Sequence, residues 1–585
     1  MSAIARAFLA IIPLVQAASI RQVSSTCKAI PGDSAWPSQD TWDSLNQTVE
    51  GRLIATIPQA AVCHPQGFGT LSYNETTCNS LKAAYNMPAT LSVLSKPWKT
   101  TTQLTDTSPM YNGTCELGNL VSYSISVSGA EDVVAGINFA RDNNVRLVVK
   151  NTGHDFLGKS SGKGGLSLWT HNLQGWEIIE SYNSTMYTGP AAKIGAGVTG
   201  GEALILANKN GYTLVTGDCP TVGVAGGYAS GGGHGYLNSA YGMGADQILE
   251  VEVVTADGQY LTASPTNNED LYWAIAGGGA GTYAVVLSMT YKIYPDIVVG
   301  AATLAFNRTA ASSDEAYLAA MAAWWQFLPT LVDSGATAAF NVIPDQFLVY
   351  NTTAPGQTAA DMDALYEPYL AQLRNLSVPY TYNSYTAPSY FAHYNVTNGP
   401  LPDGPYTASP LFNSRIIPRA VSLSAERARN VSETMIAVTE IDISANYQYG
   451  CMGLNVSSNS ARFNHADNAL APYWRDAIAI CLHYSVYDWE VPQEVMLQRK
   501  KTIAEVIYPA IEAATPDSGS YLNEGDPLVY PMDDDAKWQT AFYGSNYAAL
   551  RQVKDKWDSE SIFYSYTAVG SEDWSVDANG RLCKI

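Results

Sequence analysis

"VVKNTGHDFLGKSSGKGG", Val148 to Gly165, decides between competing folds. Gly153 to Ser160 matches G-x-x-x-x-G-K-S, the phosphate-cradling loop of nucleotide triphosphatases. That loop works only where a helix starts at its Lys-Ser, because the helix N-terminus holds the phosphates. Here Ser160 leads into "SGKGGLSLW", whose Gly162, Gly164 and Gly165 would each cost a helix about 1 kcal/mol. The run Gly158 to Gly162 also matches the hydrolase elbow G-x-S-x-G, which needs a strand directly before it and a helix directly after. Neither context is present. Gly279 to Ala284, a G-x-G-x-x-A match, runs into β-rich "TYAVVLSMTY" rather than the helix a dinucleotide loop requires.

Working outward, "SGAEDVVAGINFARDNNVRLVVK" precedes the loop. Ser128 and Glu131 read as a capping box, Val133, Val134, Ile137 and Ala140 mark one helical face, and Val145 to Lys150 reads as a buried strand. A helix feeding a strand that ends in a glycine loop is an α+β or α/β signature. Downstream, "ILEVEVVTADGQYLTA" turns at Asp257-Gly258 as a hairpin, and "LYWAIAGGGAGTYAVVLSMTYKIYP" reads as helix, glycine loop and strand. "EAYLAAMAAWWQFL" and "SAERARNVSETMIAVTEI" are helix-prone stretches of a second unit, and the last hundred residues form a third compositional block.

A chain of 585 residues holds two to four domains at about 150 residues each. Residues 1–17, "MSAIARAFLAIIPLVQA", place Arg6 before an apolar run and a small-residue cleavage signal, as a secretory signal peptide does. No later apolar run reaches the ~18 residues of a membrane span. Ten N-x-S/T sequons, at Asn46, Asn74, Asn112, Asn183, Asn307, Asn351, Asn375, Asn395, Asn430 and Asn455, fit a secreted, N-glycosylated protein. The net charge of -21 opposes nucleic acid and anionic membranes as partners. The eight cysteines contain no C-x-x-C pair, so disulfides rather than a metal site are expected of most of them.

Cys219 stands apart in "GDCPTVGVAGGYASGGGHG", Gly217 to Gly235, about sixty residues after the first loop. Two loops this dense in glycine bring backbone N–H groups close to a ligand, which suits a long phosphate-bearing cofactor; tight turns in a β domain are the plainer explanation.

The order and spacing of "VVKNTGHDFLG", "GDCPTVGVAGG", "GADQILEVEVVTADG", "DLYWAIAGGGAGTY" and the terminal "YLNEGD…FYGSNY…AVGSEDWSVDANGRLC" extend over nearly all the mature chain. Together they resemble secreted fungal FAD-linked oxidoreductases of the berberine bridge enzyme-like group, in the vanillyl-alcohol oxidase family with its PCMH-type FAD-binding domain.

The resemblance implies FAD bound bicovalently, through His154 to the 8α-methyl of the flavin and through Cys219 to its carbon 6. Imidazole and thiolate are nucleophilic enough for such bonds. With Cys219 so engaged, seven cysteines remain, enough for three disulfides with one left over. Asn151, Thr152, Gly153, Asp155, Gly158, Ser160, Pro220, Gly223, Gly226, Gly227, Gly231, Gly232 and Asn523 would line the cofactor. Relatives end in Y-x-N-Y, whose second Tyr is the proposed base; here Glu524 takes its place in "YLNEGD", with Tyr521 and Tyr547 as alternatives. His234 would contact the flavin edge or be structural.

The expected fold is α+β. It comprises a signal peptide (1–17), a lead-in and first part of the FAD domain (18–117), and a two-subdomain FAD-binding domain (118–297). A substrate domain of antiparallel sheet and covering helices (298–480) and a C-terminal segment returning to the flavin domain (481–585) complete it. The expected activity is oxidation of a small-molecule C–H, in an alcohol or sugar, by hydride transfer to flavin, with O2 reduced to hydrogen peroxide and no metal required. Two other readings stand beside it: a tailoring enzyme of secondary metabolism that cyclises or desaturates, and a glycoprotein that keeps the fold without turnover. A monomer is favoured. The run Tyr380 to Tyr394 could stack on a ring substrate, core packing being the commoner explanation.

Overall fold

The computed structural model describes residues 27–84, 114–405, 411–458, 460, 462–488 and 491–585; the signal-like residues 1–17 and the sequon at Asn112 lie outside them. Three sheets organise the chain. The first contains β1 (Leu53–Ala55), β2 (Tyr123–Ser126), β3 (Leu147–Lys150) and β4 (Leu166–Trp169), in the order β1-β2-β4-β3, with β4 parallel to both β2 and β3. The helix Ala130–Asp142 crosses between β2 and β3, and its Val133, Ile137 and Ala140 are fully buried in one core with Ile125, Leu147 and Leu168. Gly136 permits the close approach: a Cβ there would lie 2.5 Å from Leu168 Cδ2.

The helix is capped differently from expectation. Gly129 is its N-cap, and Asp132, not Glu131, reaches back to accept from the backbone N and Oγ of Ser128, both at 2.8 Å. Asp132 is the buried carboxylate at this end, and it also meets Arg52 at 2.7 Å, while Glu131 points to solvent.

The second sheet is antiparallel throughout. Its strands are β5 (Trp176–Asn183) and β6 (Thr188–Gly195), followed after the short β7 (Tyr212–Thr213) by β8 (Ile248–Thr255), β9 (Tyr260–Ala263) and β10 (Ala284–Lys292). They lie in the order β5-β6-β10-β8-β9, and β7 pairs separately with β11 (Tyr294–Pro295). The β8–β9 hairpin turns through Gly258 at φ 84°. Strand β10 follows the Gly279 loop directly, as the sequence requires.

The third sheet holds β12 (Val299–Asn307), β13 (Thr337–Ile343), β14 (Gln346–Pro355), β15 (Tyr380–Ala387), β16 (Phe412–Pro418), β17 (Gln448–Gly453) and β18 (Ala477–Tyr484). All its pairings are antiparallel, in the order β15-β12-β14-β13-β17-β18-β16. The helices Asp314–Asp333, Ala359–Asn375 and Ala425–Thr439 share its core; Trp324 meets Phe340 and Phe347 edge-on at 5.4 and 5.3 Å. In the aromatic run, Tyr390 and Tyr394 are core residues, 1% and 0% exposed.

The C-terminal segment then returns to the first two sheets. Lys554, on the helix Tyr547–Trp557, donates to Thr282 O (2.7 Å) and Phe563 O (2.9 Å), and Phe563 packs into the core of the first sheet. Three disulfides, Cys27–Cys583, Cys63–Cys78 and Cys451–Cys481, leave Cys115 and Cys219 outside any bridge. Of the sequons, Asn74, Asn183, Asn375, Asn395 and Asn430 are exposed, but Asn351 lies inside β14 and is only 2% exposed.

Candidate active site

Strand β3 delivers the first glycine loop. Gly153 (φ 88°) and Gly158 (φ 79°) take the left-handed backbone that lets residues 151–160 turn without a helix. The Asp155 carboxylate ties the turn from inside, accepting from the backbone N of Lys159 and of Ser160, the latter at 3.0 Å. The phosphate-loop pattern is therefore closed on its own aspartate.

The second loop, Gly217 to Gly235, lies against the first. Gly223 and Gly226 are spaces for Asn151: a Cβ at these positions would sit 2.0 Å from its Oδ1 and 2.6 Å from its Cγ. Asn151 Nδ2 donates to Thr170 Oγ1 (3.0 Å) and Ala196 O (2.5 Å). His154 Nε2 lies 2.8 Å from Thr221 Oγ1, and that same oxygen is 3.5 Å from Cys219 Sγ. The two expected attachment residues are thus joined through one hydroxyl. The loop is clasped from the third-sheet side by Tyr394, whose hydroxyl reaches Gly217 O (2.9 Å) and Asp218 O (3.0 Å).

The third component is residues 519–526, which run along edge strand β16. Ile416 N donates to Gly519 O (2.9 Å), and Ser414 N to Glu524 O (3.0 Å). From this rail Tyr521, Asn523 and Glu524 face the second loop. Asn523 Nδ2 donates to Gly227 O (2.9 Å) and to Tyr521 Oη (2.8 Å), and Gly233 N donates to the same phenol (3.0 Å). Gly231 makes room for Asn523, whose Nδ2 would be 2.2 Å from a Cβ there. Glu524 Oε1 meets His234 Nε2 at 2.8 Å. Trp474 packs against two side chains of the site, stacking on His234 at 6.1 Å and meeting Tyr521 edge-on at 5.4 Å. Its short helix is anchored by Arg475, paired with Asp246 through two bonds of 2.7 and 2.9 Å.

Burial sets much of the electrostatics. His154 is only partly exposed, and burial pushes its pKa down to about 4, so the ring is neutral. Burial pushes the Cys219 thiol up to about 11, opposed by the Thr221 hydroxyl. Burial also raises Tyr521, keeping it a phenol. For His234 burial disfavours charge, but the adjacent Glu524 carboxylate outweighs it and holds the pKa above the ordinary value.

Tyr547 is placed elsewhere: its hydroxyl donates to Glu572 (2.5 Å), which Arg551 also holds at 3.0 Å. Thr221, Trp474 and the pairing of His234 with Glu524 escape sequence reasoning. The signal for Thr221 was its place two residues after Cys219 in one turn. Among the described residues, no group of three or more His, Cys, Asp or Glu is placed to hold a metal ion, and no helix is long and apolar enough to cross a membrane.

Five buried polar atoms on these loops make no hydrogen bond within the chain: Asn151 Oδ1, Tyr228 Oη, Ser230 Oγ, His234 Nδ1 and Glu524 Oε2. Leaving such groups unmade costs about 1–3 kcal/mol each. Gly227 has nothing within 4 Å of where a Cβ would stand, so its backbone faces open space. Polar atoms awaiting partners beside an open backbone and a neutral imidazole fit a long, hydrogen-bonding cofactor such as FAD.

A two-subdomain α+β unit with paired glycine loops, completed by a returning C-terminal segment, defines a flavin-dependent oxidoreductase. The sequence matches the FAD binding domain family over residues 122–264 and the berberine and berberine-like family over 520–570. It is 55% identical to the FAD-linked oxidoreductase orf1 of Neocamarosporium betae, over 100% of both chains. It is 44% identical to the bifunctional decalin synthase calF of Penicillium decumbens, over 96% of each. The crystal structure of the VAO-type flavoprotein MtVAO615 from Myceliophthora thermophila C1 superposes with a TM-score of 0.89 and 41% identity, covering 96% of this chain and 100% of that one. The chain belongs to the FAD-linked oxidoreductases of the vanillyl-alcohol-oxidase type that carry a berberine-like C-terminal segment.

Proposed function

We propose that the protein is an oxidase that holds FAD covalently through His154 and Cys219 and removes hydride from an alcohol-bearing carbon of a small molecule, with Glu524 taking the hydroxyl proton. Bound FAD supplies the hydride acceptor and, in an oxidase, passes the electrons to dioxygen with release of hydrogen peroxide. The observation that carries the reading is the His234–Glu524 pair: one carboxylate oxygen is fixed at 2.8 Å while the other, Oε2, is buried without a partner in the chain. A carboxylate so oriented is a general base with its accepting oxygen in place.

The remaining residues orient and enclose. His234 sets the direction of Glu524, and its raised pKa lets it carry charge beside the carboxylate. Tyr521, kept protonated and already accepting two hydrogen bonds, supports the rail rather than taking a proton. Trp474 packs against His234 and Tyr521 beside the pair. Asn151 Oδ1, Ser230 Oγ and the Gly227 backbone offer polar contacts to the cofactor. The three disulfides fit passage through an oxidising compartment, and with the exposed sequons they support a secreted glycoprotein.

The name of one relative, a bifunctional decalin synthase, favours a second reading: oxidation of a secondary metabolite leading to ring closure or desaturation. A panel of sugars, alcohols, phenolics and polyketide-like alcohols, followed by flavin bleaching and peroxide release, separates the two. Peroxide formed stoichiometrically with a simple carbonyl product supports the first reading; cyclised or desaturated product from the metabolite class alone replaces it with the second. If no member bleaches the flavin, both readings fall.

A further inference from the structure

The turn that carries Cys219 is held rigidly. Gly200 N, at the start of the helix Gly200–Asn208, donates to Val222 O (2.9 Å), and Gly201 N to Pro220 O (2.7 Å). Thr221 stands between these anchors, 3% exposed, and its Oγ1 is the atom 2.8 Å from His154 Nε2 and 3.5 Å from Cys219 Sγ. The second distance is within hydrogen-bonding reach for sulfur.

We propose that Thr221 is the positioning residue for flavin attachment: it accepts the Nε2 hydrogen of His154, so that Nδ1 carries the lone pair, and directs its own hydrogen to the sulfur of Cys219. The inference rests on the covalent reading given above. A neutral imidazole has one N–H and one lone pair, and the bond-forming nitrogen must be the one without hydrogen. Threonine has one hydrogen and two lone pairs, so it can accept from Nε2 and donate to sulfur at the same time. In the opposite polarity the thiol donates to Thr221, which donates to Nε2. The imidazole hydrogen then sits on Nδ1 and the sulfur stays protonated, and neither nucleophile is ready.

Each attachment replaces a flavin C–H by a C–N or C–S bond. The electron pair comes from Nδ1 or from sulfur, and one proton leaves the flavin carbon. A second proton leaves Nε2 or the thiol, and the two electrons left on the flavin pass with both protons to dioxygen, giving hydrogen peroxide. In both cases the atom that sheds the second proton is in contact with Thr221.

The test compares the full-length wild type with Thr221→Val and Thr221→Ser. The readouts are flavin released by acid denaturation and flavopeptides after digestion, neither of which depends on turnover. The wild type should give one flavopeptide cross-linking the His154 and Cys219 peptides. Thr221→Val should lower its yield by about tenfold in favour of singly linked or releasable flavin, and Thr221→Ser should restore it. An unchanged cross-linked yield in Thr221→Val overturns the role of Thr221. If that variant does not fold, Thr221→Ala against Thr221→Ser decides in the same way, full attachment in the alanine variant overturning the inference. A wild type that releases all its flavin instead removes the covalent reading on which the inference stands.

Discussion

Glu524 and His234 are 290 residues apart in sequence, yet their side chains meet at 2.8 Å inside the fold. The contact joins the C-terminal rail to the second glycine loop, so the candidate base belongs to neither unit alone. Replacing Glu524 by Gln keeps the shape and removes the basic oxygen. Turnover should fall by about 10²–10⁴-fold with flavin content unchanged, checked by stopped-flow bleaching of the flavin.

The pair should also be visible in stability. His234 has a folded pKa above its unfolded value, so its contribution is fully present below the unfolded pKa of about 6.5 and is lost as pH rises through the folded value. Thermal unfolding of wild type and His234→Gln should therefore differ most at acidic pH and converge under alkaline conditions.

Asp246 and Arg475 tie the turn before β8 to the helix that carries Trp474. Asp246 is 2% exposed, and its removal would leave a guanidinium with its main partner gone. Asp246→Ala should cost about 3–5 kcal/mol in denaturant unfolding. It should also loosen Trp474, seen as a shift in tryptophan fluorescence.

Gly223 is required by Asn151 rather than by turn geometry. Gly223→Ala should destabilise by about 1–3 kcal/mol through overpacking, and Asn151→Ala in the same chain should recover part of the loss. A double-mutant cycle measured by thermal unfolding checks the coupling.

Glycopeptide mapping should find Asn351 unmodified, because a glycan has no path to an amide 2% exposed within a central strand, while Asn74, Asn183, Asn375, Asn395 and Asn430 are open to modification.

Much of this fold could be read in advance because its signals are local. The helix before β3, the hairpin at Gly258 and the strand after Gly279 each follow from periodicity and turn residues within about twenty positions. His154, Cys219 and Glu524 stood out by motif and place. What stayed hidden depends on long-range packing. Nothing near Trp474 indicates that it packs against Tyr521, and nothing near Gly231 indicates that its missing side chain makes room for Asn523. The capping carboxylate fell to Asp132 because Arg52, 80 residues away, waits beside it. A sequon tripeptide carries no record of burial, which is why Asn351 looked like its nine fellows.

The bridge from Cys27 to Cys583 spans 556 positions and is reinforced by two contacts of 2.6 Å between Arg581 and Asp33. In its oxidised form the bond closes residues 27–583 into one covalent ring. A single proteolytic cut in any exposed loop between these cysteines opens the ring without freeing a fragment, so a nicked molecule would still migrate as one covalent species until reduced. Proteolysis would therefore have to strike the ring twice before any part of it could diffuse away.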